Sequence, residues 1–214
     1  MYLLVLARAP RLAAGLATVL MLTPAAASAQ GRIELTPFGA SYYALTHLAT
    51  GTDPNNGNEI RIDQTNAFAV GARLTVPVGA RFSVEGEFTF TMSGLRFTED
   101  DLLGPGLDGG LAQDGNIIYG SIRGVFSPRR SNLFLLAGPA IIRRGGDAWD
   151  GADGSDVTDF GGVVGFGIRA NVTPRFRLNF TAETYLYSFS GGLADSDFQA
   201  DVLVGVGVPI AFGH

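Results

Sequence analysis

Apolar and polar residues alternate along most of the chain with a period of two, which is the pattern of β-strands that bury one face. The clearest run is Phe82 to Met92, where the even positions are apolar apart from Gly86, and Arg175 to Ser188 repeats the plan. No segment after residue 30 shows a convincing helical period of 3.6 residues. The pattern predicts eight strands, at residues 32–47, 64–77, 81–93, 115–127, 131–144, 158–172, 175–189 and 197–212.

The connections between these predicted strands alternate in length. Tight turns near Gly79, Pro128 and Pro174 follow the second, fourth and sixth strands, and longer polar segments follow the others, at 49–63, 94–114, 145–158 and 191–199. The strands exceed the usual length of about 5 to 6 residues in globular proteins and reach the about 9 to 11 residues that a membrane-spanning strand needs. The sequence therefore predicts an all-β fold, an eight-stranded antiparallel up-and-down transmembrane β-barrel.

The two faces of the strands assign side chains to lipid or to the lumen, because a membrane barrel is apolar outside and polar inside. On the second predicted strand, Phe68, Val70 and Leu74 face outward and Arg73 inward. The fifth strand is apolar on both faces, so its phase stays open. Nearly every charge within a strand body has inward parity, which predicts a lumen charge network of Arg73, Glu85, Glu87, Arg123, Arg169, Arg177, Glu183 and Asp201.

These inward charges need partners, since an isolated buried charge costs several kcal/mol. A three-residue turn centred on Gly79 places Arg73 opposite Glu85, and a slipped register places it opposite Glu87. Both registers remain possible from the sequence, and both predict a cluster that Arg123 joins from the fourth strand.

Aromatic residues lie near the strand ends, where a membrane barrel carries its interfacial girdles. Phe134 belongs with the girdle at the short-turn end by its position. Tyr185, Tyr187 and Phe189 have inward parity, and the sequence leaves open whether a bulge near the loop end of the seventh strand turns them outward. The predicted girdles comprise Tyr43, Phe68, Phe82, Phe90, Phe126, Phe160, Phe176, Phe198 and Phe212.

The first 29 residues have the form of a secretory signal peptide. Arg8 and Arg11 precede the apolar run 12–22, and Ala27-Ser28-Ala29 forms a small-x-small cleavage site. The run is shorter than the about 20 residues of a transmembrane helix. We therefore expect export through the Sec pathway, cleavage after Ala29, and one barrel domain over residues 30–214.

With this organisation, the chain resembles the small outer-membrane β-barrel family typified by the membrane domain of outer membrane protein A and by outer membrane protein X. The segment NVTPRFRLNF, residues 171–180, is similar to a periplasmic turn of such barrels. The resemblance implies a Gram-negative outer-membrane location, contact with outer-membrane lipid and lipopolysaccharide, and insertion by the barrel assembly machinery. It also implies a non-enzymatic envelope-structural or surface-interaction role, with a narrow channel for small solutes or hydrophobic molecules as the alternative. A monomer is the expectation for the oligomeric state.

Composition removes several other classes of function. The chain has no Cys, which excludes disulfides and thiolate metal sites. Without Arg8 and Arg11, 13 Arg face 20 acidic residues, so the net charge is 13 − 20 = −7 and no nucleic acid partner is expected. Of those 20 acids, 15 belong to the long loops when all five aspartates from Asp147 to Asp159 are counted with them. This acidic side is predicted to face the cell exterior.

Two less favoured classes are a lipid A-modifying enzyme and a soluble exported lipocalin-like carrier. An acyl-transfer enzyme needs a nucleophile and a base held within hydrogen-bond range, and the one grouping available is His47 with Ser93 and Asp100 or Asp101. We interpret the last residue, His214, as a frayed chain end. A carrier would also show period-two strands, but the strand lengths and the alternating loops favour the membrane barrel.

The segment GGDAWDGADGSDVTD, residues 145–159, places an aspartate at every third position and contains the single tryptophan, Trp149. Asp147, Asp150, Asp153 and Asp156 are weak candidates for a calcium site, because carboxylates suit that ion but the spacing does not match the helix-loop-helix calcium loop. We expect no catalytic residues, no resident metal and no cofactor, and interpret the segment as part of an acidic surface loop.

Overall fold

The structure is a computed structural model that describes residues 32–52, 59–99, 112–129, 131–146, 157–173, 176–189 and 198–212. The predicted signal peptide, Trp149, four of the five repeated aspartates, Asp100, Asp101 and His214 lie outside the described residues. Within the described residues, no helix is long and apolar enough to cross a membrane.

The described residues form thirteen strands, whose bounds follow in chain order. They are β1 (Ile33–Ala44), β2 (Ala49–Thr52), β3 (Glu59–Gln64), β4 (Ala67–Pro77), β5 (Phe82–Thr91), β6 (Leu95–Glu99), β7 (Ala112–Gln113), β8 (Asn116–Phe126), β9 (Leu133–Gly145), β10 (Val157–Thr173), β11 (Phe176–Ser188), β12 (Phe198–Gly207) and β13 (Ile210–Phe212).

One sheet closes on itself as a barrel with eight walls. The walls are β1, β4, β5, β8, β9, β10, β11 and the combined strand β12–β13, each antiparallel to the next, and the sheet closes between β1 and β12. The interruption at Val208 and Pro209 leaves the register intact, because Phe38 pairs with Gly207 and Leu35 with Ile210. The predicted eight-stranded antiparallel barrel is therefore confirmed.

A second sheet extends the first half of the barrel beyond the predicted strand ends. It has the order β2-β3-β6-β7, and its strands continue from β1, β4, β5 and β8. The backbone of Thr65 and Gly94 is hydrogen-bonded where β3–β6 passes into β4–β5. The prediction of plain loops at 49–63 and 94–114 was wrong, because strand pairing continues through part of both segments.

The alternation of faces is the one that a membrane barrel needs. On β4, Phe68 is 67% exposed and Leu74 50%, whereas Arg73 between them is 3% exposed. The open phase of β9 is decided by its pairing: Phe134, Leu136 and Ile142 point inward. Phe134 therefore does not belong to an outer girdle, which corrects the assignment from its position near a turn.

The register of β10 with β11 answers whether a bulge turns Tyr185, Tyr187 and Phe189 outward, which the sequence left open. The register between β10 and β11 is continuous from Gly161↔Tyr187 to Asn171↔Arg177, and its irregularity lies at Asn171/Thr173, at the short-turn end. Tyr185, Tyr187 and Phe189 are therefore not turned outward by a bulge and are buried inside the barrel.

Candidate functional site in the barrel interior

The middle of the barrel contains five charged side chains from four walls, here called the Arg–Glu cluster. Its members are Arg73 of β4, Glu85 and Glu87 of β5, Arg123 of β8, and Glu183 of β11. All five are at most 8% exposed. Their positions follow from the strict alternation of the strands, which turns all five toward the lumen.

Two guanidinium groups link the three carboxylates. Arg73 donates to Glu87 Oε2 at 2.6 Å and to Glu183 Oε1 at 2.8 Å. Arg123 donates to Glu85 Oε1 at 2.7 Å, to Glu87 Oε2 at 2.6 Å and to Glu183 Oε2 at 2.7 Å. The register pairs Arg73 with Glu87, which is the slipped alternative. Because charge-assisted bonds of this length are the strong ones, the cluster ties four of the eight walls together.

Neutral groups complete the hydrogen bonding of this cluster. Thr75 donates to Glu85 at 2.6 Å, and Arg73 donates to Thr181 at 3.1 Å. Tyr185 of β11 donates to Glu87 of β5 at 2.5 Å. β5 and β11 are diametrically opposite in the barrel order, four walls apart. This one bond therefore spans the lumen.

A second group lies nearer the loop end and is called the tyrosine–aspartate layer. Its centre is Asp201 of β12, which accepts hydrogen bonds from Tyr42 at 3.0 Å, Tyr119 at 2.7 Å and Tyr187 at 2.7 Å. Tyr119 is on β8, the wall diametrically opposite β12. The lumen is thus bridged in this layer as well, here by neutral phenol donors on a carboxylate.

Arg144 of β9 carries the positive charge of this second layer. It donates to Asp159 of β10 at 2.5 Å and to the hydroxyl of Tyr187, and its guanidinium lies over the rings of Tyr187 and Phe189 at 4.7 and 5.0 Å. Asp159 is 2% exposed. The interpretation of all five repeated aspartates as surface loop is therefore wrong for Asp159, whose strand pairing carries it inside the barrel.

The remaining predicted network residues lie at the short-turn end, apart from both layers. Arg177 donates to Glu34 at 2.5 Å. Arg169 donates to Ser127 at 2.9 Å and lies over the ring of Phe134 at 4.8 Å. The single predicted network is therefore three groups: the Arg–Glu cluster, Asp201 with its tyrosines, and these two arginines with separate partners.

The two described members of the candidate grouping for acyl transfer, His47 and Ser93, have other hydrogen-bond partners. His47 contacts Asp63 on the exposed rim, and Ser93 is buried with its hydroxyl donating to the carbonyl of Thr65 at 2.5 Å. The acid partner of His47 is thus Asp63, which the sequence reasoning did not consider. Among the described residues, no group of His, Asp and Glu is arranged to hold a metal ion.

Sequence reasoning missed the tyrosine–aspartate layer although its signal was present. Tyr119 and Tyr187 both have inward parity, and Arg144 and Asp159 flank the same long connection between neighbouring strands. The alternation of faces along one strand does not show which side chain each residue contacts across the lumen.

The outside of the barrel is apolar, as lipid contact requires. Phe90 and Phe126 of the predicted girdles are half-buried, and the ring of Phe126 lies 5.0 Å from that of Phe82. The other girdle residues are 42 to 73% exposed, namely Tyr43, Phe68, Phe82, Phe160, Phe176, Phe198 and Phe212.

The family model of the outer membrane protein beta-barrel domain matches residues 12–209, nearly the whole chain. The chain belongs to this family. A search of curated protein sequences gave no match.

Among solved structures, the chain is similar to the outer membrane protein OprG from Pseudomonas aeruginosa, with 10% identity, 85% of this chain and 97% of that chain covered, and a TM-score of 0.48. It is also similar to Ail, the attachment invasion locus protein of Yersinia pestis, in a complex with the heparin analogue sucrose octasulfate. That match has 17% identity, covers 84% of this chain and 99% of that chain, and has a TM-score of 0.41. Ail in a phospholipid bilayer nanodisc gives 12% identity, 85% and 100% coverage, and a TM-score of 0.47.

Proposed function

We propose that this outer-membrane protein is a non-enzymatic anchor with a closed lumen, whose loop end presents an acidic surface to the cell exterior. The observation that carries the proposal is the pair of hydrogen bonds between diametrically opposite walls, Tyr185 to Glu87 and Tyr119 to Asp201. Because they cross the lumen at two depths, a hydrated path would require both layers to open.

The surface role is supported by the loop end of the barrel. Strand pairing continues there as the sheet β2-β3-β6-β7, which holds two of the long connections on a paired framework. With Asp159 assigned to the interior, 15 − 1 = 14 of the 20 acidic residues belong to the long connections. An acidic surface on a rigid membrane base suits an envelope-structural or surface-interaction role better than a solute pore.

The closed lumen is tested by ion conductance. The mature chain, refolded in detergent and inserted in a planar lipid bilayer, should give no regular conductance steps. The matched variant Tyr119→Ala/Tyr185→Ala, which removes both crossing side chains, should conduct. Regular steps from the unsubstituted chain would instead support the narrow channel.

The orientation is tested by cysteine labelling, since the chain has no Cys of its own. Asp153→Cys marks the third long connection, and Gly79→Cys marks a short turn, where an added Cβ meets nothing within 4 Å. A membrane-impermeant maleimide applied to intact cells should label Asp153→Cys, and Gly79→Cys only after the outer membrane is permeabilised. The reverse result would overturn the proposed orientation.

A further inference from the structure

The inner face of the barrel at the short-turn end carries two arginines outside the Arg–Glu cluster. Strand alternation turns Arg169 of β10 and Arg177 of β11 inward, because their sequence neighbours Ile168 and Phe176 are 48% and 42% exposed on the lipid-facing side. Both arginines are half-buried, whereas Thr181, further along the same face of β11, is buried. They therefore line the short-turn mouth of the lumen, and the lumen is closed beyond them.

Asn179 of β11 is next to both arginines. The register of β10 with β11 pairs it directly with Arg169. It is two residues from Arg177 on the same strand, and residues at this spacing lie on one face of a sheet. Two neighbouring walls thus bring one amide and two guanidinium groups together at the mouth of the lumen.

The positive charge at this mouth exceeds the negative charge that is bound to it. Arg177 donates to Glu34 at 2.5 Å, but Arg169 donates to the neutral hydroxyl of Ser127 at 2.9 Å and, within the described part of the chain, forms no ion pair. The like charge of Arg177 repels the guanidinium of Arg169, while Glu34 and Glu85 attract it without a direct hydrogen bond. Two arginines and one glutamate give the mouth a charge of 2 − 1 = +1, which favours an anion.

Two buried polar atoms in this group specify the kind of anion. Arg177 Nε, a donor, and Asn179 Oδ1, an acceptor, have no hydrogen-bond partner among the described residues. A buried donor or acceptor that is left unpaired is costly. A ligand that satisfies both atoms must accept one hydrogen bond and donate another, and it must be negative to offset the arginines. Hydrogen phosphate meets these requirements at neutral pH, whereas sulfate has no O–H group to donate.

We propose that Arg169, Arg177 and Asn179 bind a hydrogen-phosphate group at the short-turn mouth of the lumen. The guanidinium groups donate to the phosphate oxygens, which suit their planar geometry, and Asn179 Oδ1 accepts from the P–OH group. A soluble phosphate or phosphate monoester is the ligand rather than a lipid headgroup, because the three side chains point into the barrel and away from lipid. The site is at the opposite end of the molecule from the acidic loops, and it holds whether or not the lumen conducts.

The test is isothermal titration calorimetry of the refolded barrel in non-ionic detergent at pH 7, with inorganic phosphate or sulfate added at constant ionic strength. The unsubstituted chain should bind one phosphate and should bind sulfate about fivefold more weakly, the factor that one neutral hydrogen bond supplies. Arg169→Gln should weaken phosphate binding by about tenfold or more, because a hydrogen bond from a charged donor is lost. Asn179→Leu, which removes the acceptor, should bring the affinities for phosphate and sulfate to the same value.

The matched control is Arg96→Gln, which removes an exposed arginine from the loop end and changes the net charge by the same amount as Arg169→Gln. This control should bind phosphate like the unsubstituted chain, and a gel-shift assay of boiled and unboiled samples should show that each variant is folded. The proposal is refuted if the unsubstituted chain binds no phosphate, if it binds sulfate as tightly, or if both arginine variants lose affinity equally. Displacement of phosphate by phosphatidylglycerol added to the micelles would also refute it, since the site would then face lipid.

Discussion

The two layers of the barrel interior stabilise their buried carboxylates with different chemistry. The Arg–Glu cluster balances three carboxylates with two guanidinium groups, each of which contacts at least two of them. The tyrosine–aspartate layer surrounds the carboxylate of Asp201 with three phenol donors and keeps its one guanidinium, on Arg144, paired with Asp159. In both layers there is one carboxylate more than there are guanidinium groups.

Because of this difference, the two layers should lose different amounts of stability when a charged side chain is removed. The cluster depends on charge attraction between buried side chains, so loss of a cation leaves carboxylates uncompensated. The second layer depends on shorter-range hydrogen bonds to neutral donors, each worth about 1 kcal/mol. Removal of charge should therefore cost more in the cluster than in the tyrosine–aspartate layer.

The largest effect is expected for Arg123→Met. The substitution keeps a long apolar stem but leaves Glu85 without a cationic partner and Glu87 and Glu183 with Arg73 alone. The free energy of unfolding should therefore fall by about 3 to 5 kcal/mol. Urea unfolding in lipid vesicles, followed by the gel shift of the folded barrel, measures the change. Arg96→Ala, an exposed arginine, is the control and should have little effect. Equal losses in the two variants would contradict the special role of the cluster.

A smaller effect is expected for Gly138→Ala, which tests the wall behind the cluster. An added Cβ would lie 2.1 Å from the carbonyl oxygen of Ile122 and 2.6 Å from the Cα of Arg123, so that wall has to move. Overpacking of this kind costs about 1 to 3 kcal/mol.

The matched substitution is Gly120→Ala, also on the barrel wall, where a Cβ meets nothing within 4 Å. It should leave the urea midpoint within the error of the unsubstituted chain. If both glycines tolerate alanine equally, the close approach of β8 and β9 does not constrain Arg123.

The smallest effect is expected for Asp201→Asn in the tyrosine–aspartate layer. The amide retains one acceptor oxygen, and phenol hydroxyls can also accept from its NH2 group, so the loss should be about 1 kcal/mol. The same urea titration provides the measurement, with Tyr119→Phe as a companion that removes one donor without altering the carboxylate. A loss as large as that of Arg123→Met would show that the second layer also depends on charge.

The sequence predicts which charged side chains face the lumen, but it does not predict which of them pair with each other. The inward direction of Arg73, Glu87 and Arg123 follows from alternation along single strands, which is a local property. The choice between Glu85 and Glu87 as the partner of Arg73 depends on one turn, and two registers satisfied the same parity. Phe134 and Asp159 were misplaced because positions near strand ends suggested a girdle and a loop, whereas pairing of β9 with β10 carries both inside.

By itself, the sequence determined the class of fold, the number of membrane walls, the apolar outside and the charged inside, since a period of two and alternating loop lengths are readable without any contact between distant residues. The tertiary structure alone decided which side chains meet across the lumen. Tyr119 and Asp201 are 82 residues apart in the chain, and Tyr185 and Glu87 are 98 residues apart. Such pairs become neighbours only when the sheet closes, because closure brings opposite walls within reach of one side chain.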